Sequence, residues 1–140
     1  MRKESSYGFV PLKKENGKWY VLLVHRQEGF WEFPKGHPDK GETPLEAAKR
    51  EMEEETGMQL ERLVIDEPLS INYWFTWQGE KIDKTVYYFV GTVSGEPRPQ
   101  LEEMQDVRWV LLEQASELLT HENNKRIVHR TLLFLKSQSS

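Results

Sequence analysis

The stretch from Thr43 to Gly57 constrains the fold more than any other part of the chain. Thr43 is a residue type whose side-chain oxygen accepts from a free N–H at a helix start. Pro44 then stands at the first helical position, where its missing N–H costs nothing. Glu46, three residues after Thr43, completes a capping box, and Gly57 is suited to end a helix in the left-handed conformation. The sequence therefore predicts a helix over Pro44–Thr56. At ~100° per residue, Leu45, Ala48 and Met52 fall within about 60° of one another and form a stripe that faces a core. Glu51, Glu54 and Glu55 share a second stripe roughly 100° round, and Glu46, Lys49 and Glu53 point to solvent. A solvated surface has no need of that second stripe. Glu51 and Glu55 are like charges one turn apart, at a cost of a few tenths of a kcal/mol, and three acids near a helix C-terminus oppose its dipole. Carboxylates gathered on one side of a helix suit a hard, oxygen-seeking divalent cation, magnesium first.

Around this helix the remaining patterns are mostly strand-like. Residues 7–12 and 19–25 are rich in β-forming side chains, and residues 15–18 (Glu-Asn-Gly-Lys) read as a hairpin turn between them. Residues 30–33 form a short alternating piece stopped by Pro34, and residues 35–41 read as a loop from their glycine and proline content. Further β-like segments lie within residues 60–72 and over 84–94 and 107–111; helical patterns follow at 113–119 and 123–136, with a frayed tail at 137–140. The order β-β-β-α-β-β-β-α describes a mixed α/β chain with one helix inserted early.

A length of 140 residues suits one domain, 1–140. The net charge of −4 argues against a protein built to hold nucleic acid, which carries a basic face, although cations can bridge an acidic protein to polyphosphate. Cysteine is absent, which excludes disulfides and thiolate metal sites and accords with a reducing cytoplasm. No run approaches the roughly 18 apolar residues of a membrane span, and residues 1–6 are too polar for a signal peptide. These features predict a cytoplasmic protein with neither a membrane nor a stable nucleic-acid partner. They leave monomer and homodimer open.

Gly36, five residues, Glu42, seven residues, then Arg50-Glu51-Met52-Glu53-Glu54-Glu55-Thr56-Gly57-Met58 resembles the complete Nudix box, over residues 36–58. Seven fixed positions, each at a usage near 7%, coincide by chance about once in a million such chains. The resemblance implies the Nudix α/β/α sandwich, a mixed β-sheet between helices, and Mg2+-dependent hydrolysis of a phosphoanhydride bond, with Mn2+ as a substitute. It makes Glu51, Glu54 and Glu55 the metal ligands, one of them also acting on the attacking water. It pairs Arg50 with Glu42 or another box carboxylate and brings Gly36 close to the phosphates.

Trp31-Glu32-Phe33-Pro34-Lys35-Gly36-His37 is similar to the Trp…Pro-Lys-Gly-His stretch of the asymmetrically cleaving diadenosine tetraphosphate hydrolases, as are Asn72-Tyr73, Lys84-Thr85-Val86 and Glu103 before Arg108-Trp109. This second resemblance implies a small-molecule dinucleoside polyphosphate substrate, cut to ATP and AMP. Lys35, Gly36, His37 and Lys84 would then contact phosphates, Tyr73 would stack on adenine, and Glu103 would join the catalytic set. Each residue also has a plainer reading: surface lysines, a loop-capping His37, sheet packing for Tyr73, and a solvated acid for Glu103, with Glu102 as its rival. Within the same family, other pyrophosphatases act on nucleoside triphosphates, ADP-ribose or RNA 5′ ends. Non-catalytic nucleotide-sensing modules of this fold usually lack box glutamates, and all three are present here.

Overall fold

In the computed structural model of the protein, which describes residues 1–138, the chain opens with a hairpin of β1 (Arg2–Glu15) and β2 (Lys18–Arg26). Asn16 and Gly17 both take positive φ (52° and 77°), as in the primed turns whose twist matches paired strands. Two short strands follow, β3 (Trp31–Glu32) and β4 (Lys35–Gly36), and then α1 (Pro44–Thr56). A long hairpin of β5 (Gln59–Trp77) and β6 (Glu80–Ser94) precedes β7 (Met104–Leu111). A 3-10 turn at Leu112–Gln114 leads into α2 (Ala115–Leu118) and α3 (Glu122–Gln138).

The seven strands make one mixed sheet, β3-β2-β1-β6-β5, with β4 added to β1 and β7 to β2. Among the described residues, only β1 and β6 pair in parallel. Alternation of side chains along the strands sends Phe9, Leu22 and Phe89 to one face and Val10, Leu23 and Val90 to the other. On the first face Ala48 and Met52 of α1 complete the core, with Leu45 partly buried at its edge. On the second face Ile127, Val128 and Leu135 of α3 do the same. Apolar surface on both faces thus receives helices, which yields the expected α/β/α sandwich.

The split between β1 and β2 positions the site. They pair only over Leu12–Glu15 and Lys18–Val21, then diverge. The 31–36 segment enters the fork: Trp31 and Glu32 pair with His25 and Val24 of β2, and Lys35 and Gly36 pair with Gly8 and Tyr7 of β1. Lys35 and Gly36 are therefore strand residues, whereas their glycine- and proline-rich surroundings predict a loop.

Other boundaries also move. β1 begins at Arg2 rather than residue 7, because Arg2–Ser6 pair in parallel with Ile82–Val86, and that tertiary pairing overrides a polar composition. β5 and β6 extend to a Gln78-Gly79 turn with both residues at positive φ (50° and 76°), so Lys84 lies inside a strand facing Tyr73. The 113–119 pattern divides into the 3-10 turn and α2. Of the tail expected to fray, Ser137 and Gln138 belong to α3, and Ser139 and Ser140 lie outside the described residues. Among the described residues, no helix is long and apolar enough to cross a membrane.

Candidate active site

The start and end of α1 are built as its sequence predicts. Thr43 Oγ1 accepts from the Glu46 N–H (3.2 Å), and Glu46 Oε1 accepts from the Thr43 N–H (2.9 Å). Gly57 closes the helix at φ 77°, its N–H donating to the Glu53 carbonyl (2.9 Å). Between these ends the helix lies against β1 and β4, with Glu51 directly beneath Gly36. A Cβ at Gly36 would overlap the carboxyl group of Glu51, so glycine leaves that carboxyl its room against the strand.

Glu55, one turn further on, is buried at 4% exposure. Its Oε1 accepts from the Lys35 N–H (3.3 Å) and faces Arg26 Nη2 (3.4 Å). Burial pushes the Glu55 carboxyl well above the usual carboxylate range; Arg26 opposes the rise, and the neighbouring Glu51 carboxyl adds to it. Arg26 Nε also donates to Glu32, which is buried on the same side of β3. Arg26 thus bridges two buried carboxylates, and the charge of Glu103 reaches it as well.

Arg50 ties the loop before α1 to the helix. It donates to Glu42 from Nε (2.7 Å) and Nη2 (3.1 Å), to the His37 carbonyl (3.0 Å), to Glu51 (2.9 Å) and to Glu54 (3.1 Å). These bonds lower the Glu42 carboxyl, first through Arg50 and then through the Asp39 N–H.

The shared stripe of three glutamates resolves into two arrangements. Glu51 and Glu55 are brought together under the Gly36 bend. Glu54 is 57% exposed and shares Arg50 Nη1 with Glu51. Among the described residues no three acidic or histidine side chains already form a ready-made cation site. The idealised helical wheel places Glu54 at the edge of its stripe, farthest round from Glu55, where the nearest opposite charge is Arg50.

A cleft of about 580 Å³ opens beside this cluster. Arg26, Glu32 and Gly36 line it, and Glu55 and Glu51 lie against Arg26 and Gly36; the box glutamates and Glu103 do not line it. Lys35 and Lys84 line it with the His37 ring and with Tyr73, the cross-strand partner of Lys84. Lys84 Nζ is 3.2 Å from His37 Nε2, which is 3.5 Å from Glu4 Oε1. Burial, and then Lys35, lower the Lys84 ammonium, while Glu4 opposes the shift. His37 itself is mostly exposed. Tyr73 is half-buried and ring-tilted against Phe75 (6.1 Å). Glu103 sits on an exposed turn just before β7.

Sequence reasoning missed Arg26, Glu32 and Glu4. Glu32 had a readable signal, since a carboxylate between Trp31 and Phe33 in an alternating strand must face away from both. Arg26 and Glu4 had none, because their partners come from other strands.

The comparisons with known proteins agree with this geometry. The NUDIX domain family matches residues 3–132. The asymmetrical bis(5′-nucleosyl)-tetraphosphatase of Rattus norvegicus is 35% identical over 132 residues, covering 89% of this chain and 86% of that protein. An RNA pyrophosphohydrolase of Pelagibacter ubique is 28% identical over 124 residues, covering 80% and 78% respectively. A putative mutator protein MutT4 of Mycobacterium tuberculosis is 34% identical over 99 residues, which span 70% of this chain but only 39% of that longer protein. Among solved structures, a C. elegans Ap4A hydrolase binary complex superposes with a TM-score of 0.75 at 23% identity, covering 96% of this chain and 98% of that one. The glycine bend over paired glutamates, the α/β/α sandwich and a family match across nearly the whole chain lead to one conclusion: this protein belongs to the Nudix family.

Proposed function

We propose that the protein hydrolyses a phosphoanhydride bond in a dinucleoside polyphosphate, diadenosine tetraphosphate in particular, to give ATP and AMP in the cytoplasm. The observation that carries this reading is the cleft that leads from Tyr73, past Lys84, His37 and Lys35, to the Gly36 bend over Glu51 and Glu55. It brings an aromatic ring for a base and two lysines for phosphates into one cleft with Gly36, behind which the carboxylate pair lies.

The donor set fits a hard divalent cation. It is all oxygen, and a buried carboxyl that holds its proton beside a second carboxyl is a pair short of a positive charge. Glu51 and Glu55, with Glu54 one turn away, would hold Mg2+, or Mn2+ in its place. When bound, the cation supplies Lewis-acid polarisation of a phosphoryl oxygen and lowers the pKa of bound water. The protein's own groups do the rest. Lys35 and Lys84 neutralise phosphate oxygens as mobile point charges, and His37 adds a ring nitrogen beside Lys84. Tyr73 presents a ring face to a base. Glu103, near Arg26, is the candidate to orient the attacking water, which forms the new P–O bond as the bridging P–O bond breaks.

Gly36→Ala tests the close approach. The added methyl meets the far end of a flexible side chain, so the fold should survive at a cost of about 1 kcal/mol. Displacing the Glu51 carboxyl should nevertheless lower kcat roughly a hundredfold. Comparable losses in the melting curve and in turnover would instead mark Gly36 as a packing residue only.

RNA 5′ ends are the second reading, favoured by the likeness to the Pelagibacter enzyme. A product assay with magnesium across dinucleoside tri-, tetra- and pentaphosphates, ADP-ribose, nucleoside triphosphates and 5′-triphosphorylated RNA separates the two. The dinucleotide reading requires ATP plus AMP from diadenosine tetraphosphate at a kcat/KM above every other substrate. Faster release of pyrophosphate from RNA would overturn it.

A further inference from the structure

The register of β2 against β7 breaks at one place: His25 pairs with Asp106 and Arg26 with Met104, so Gln105 is an extra, unpaired residue. Such a bulge bends a strand and re-aims a side chain. Here the Gln105 Nε2 donates back across the break to the carbonyls of Arg26 (3.0 Å) and Gln27 (3.4 Å). Gln27 answers from the other side. Its N–H donates to the Glu103 carbonyl (2.9 Å), and its Nε2 donates to the carbonyls of Leu101 (3.1 Å) and Met104 (3.2 Å). The loop closes on itself as well, with the Glu103 and Met104 N–H groups both donating to the Gln100 carbonyl (3.1 and 2.9 Å).

We propose that Gln27 and Gln105 form a reciprocal amide clasp that holds the 100–105 loop against the end of β2, making both of them positioning residues for Glu103. Resting on the hydrolase reading above, it assigns a role to two residues that touch neither the cleft nor the box. The clasp acts on the segments that carry Arg26 and Glu103, whose charges are close enough to interact. Arg26 in turn faces Glu55 and Glu32. Leu101, Glu102 and Glu103 are exposed, and Met104, fully buried, anchors only the β7 end of the loop, so the amides supply the contacts that fix the rest of it. Side-chain amides are suited to this task because one terminal nitrogen can donate to two carbonyls at once.

The test uses Gln27→Met, Gln105→Met and the double variant, which keep side-chain length and remove the donors. The first readout is hydrogen exchange of the 100–105 amides in the resting protein, which needs no substrate. The double variant should exchange there at least about tenfold faster, with the β1 and β6 core amides unchanged. The second is steady-state kinetics: kcat should fall roughly tenfold with KM unchanged. On a Glu103→Gln background the double variant should add less than about a twofold further loss, because the clasp would then have nothing left to position. Unchanged exchange overturns the clasp whatever the substrate. Faster exchange with kcat unaltered, or with losses that multiply those of Glu103→Gln, overturns the positioning role. If the wild type turns over none of the substrate panel, the hydrolase reading fails, the exchange result alone judges the clasp, and the assignment to Glu103 falls.

Discussion

Glu55→Gln is expected to lower turnover by roughly three orders of magnitude at saturating magnesium while leaving the far-ultraviolet circular dichroism unchanged. Glutamine keeps the shape of the side chain and can still accept from the Lys35 N–H, so the packing of α1 against β4 has no reason to change. What is lost is the buried negative charge that, with Glu51, would hold the cation. The same variant carries a second signature. In the folded protein the Glu55 carboxyl titrates upward from an ordinary value of 4.5 to about 8, chiefly through burial. The folded state therefore holds this proton more tightly than the unfolded chain. Its contribution to stability is complete below about 4.5 and is lost as pH rises through about 8. Without divalent cations, wild-type stability should decline across that window more steeply than that of the glutamine variant, and magnesium should restore more of it at pH 8 than at pH 5.5. Turnover within tenfold of wild type would remove Glu55 from the reacting centre.

Arg26→Ala should be the most destabilising single change at the site, by about 3 kcal/mol in urea unfolding at pH 7. Arg26 is mostly buried, pairs with Glu32 and faces Glu55, both of them nearly inaccessible. Removing it leaves the Glu32 carboxylate uncompensated in a low-dielectric pocket, beside a Glu55 carboxyl that burial already keeps largely protonated at pH 7. The paired replacement Arg26→Leu with Glu32→Leu separates charge from packing. If the unpaired charge is the cause, roughly half of the lost stability returns in the double variant. If the double variant is as unstable as Arg26→Ala, lost side-chain volume is the cause and the ion pair contributes little.

The site was most legible where its determinants are local. The capping box, the proline at N1, the terminal glycine and the glutamate spacing all lie within fifteen residues of chain, and α1 forms as they dictate. The α/β/α layering was also readable, through the family resemblance. What the sequence could not disclose depends on register between distant strands. Glu32 meets Arg26 only because Val24 pairs with Glu32 in the β1–β2 fork, and Glu4 meets Lys84 only because β1 and β6 run parallel in that register. The exposed position of Glu54 was hidden for a different reason. A helical wheel gives direction about an axis but no information on competing charges, and Glu54 shares Arg50 Nη1 with Glu51 at the exposed edge of the stripe. The Gln105 bulge is likewise invisible in a sequence, since an extra residue is defined only against the strand it faces.

The claim beneath all of this is that Glu51 and Glu55 share a divalent cation under the Gly36 bend. A crystal structure with Mn2+, its position read from anomalous scattering, tests it most directly. The account predicts a strong peak at the carboxylates of Glu51 and Glu55, beneath Gly36. An empty pair there, with manganese bound elsewhere or not at all, would contradict it.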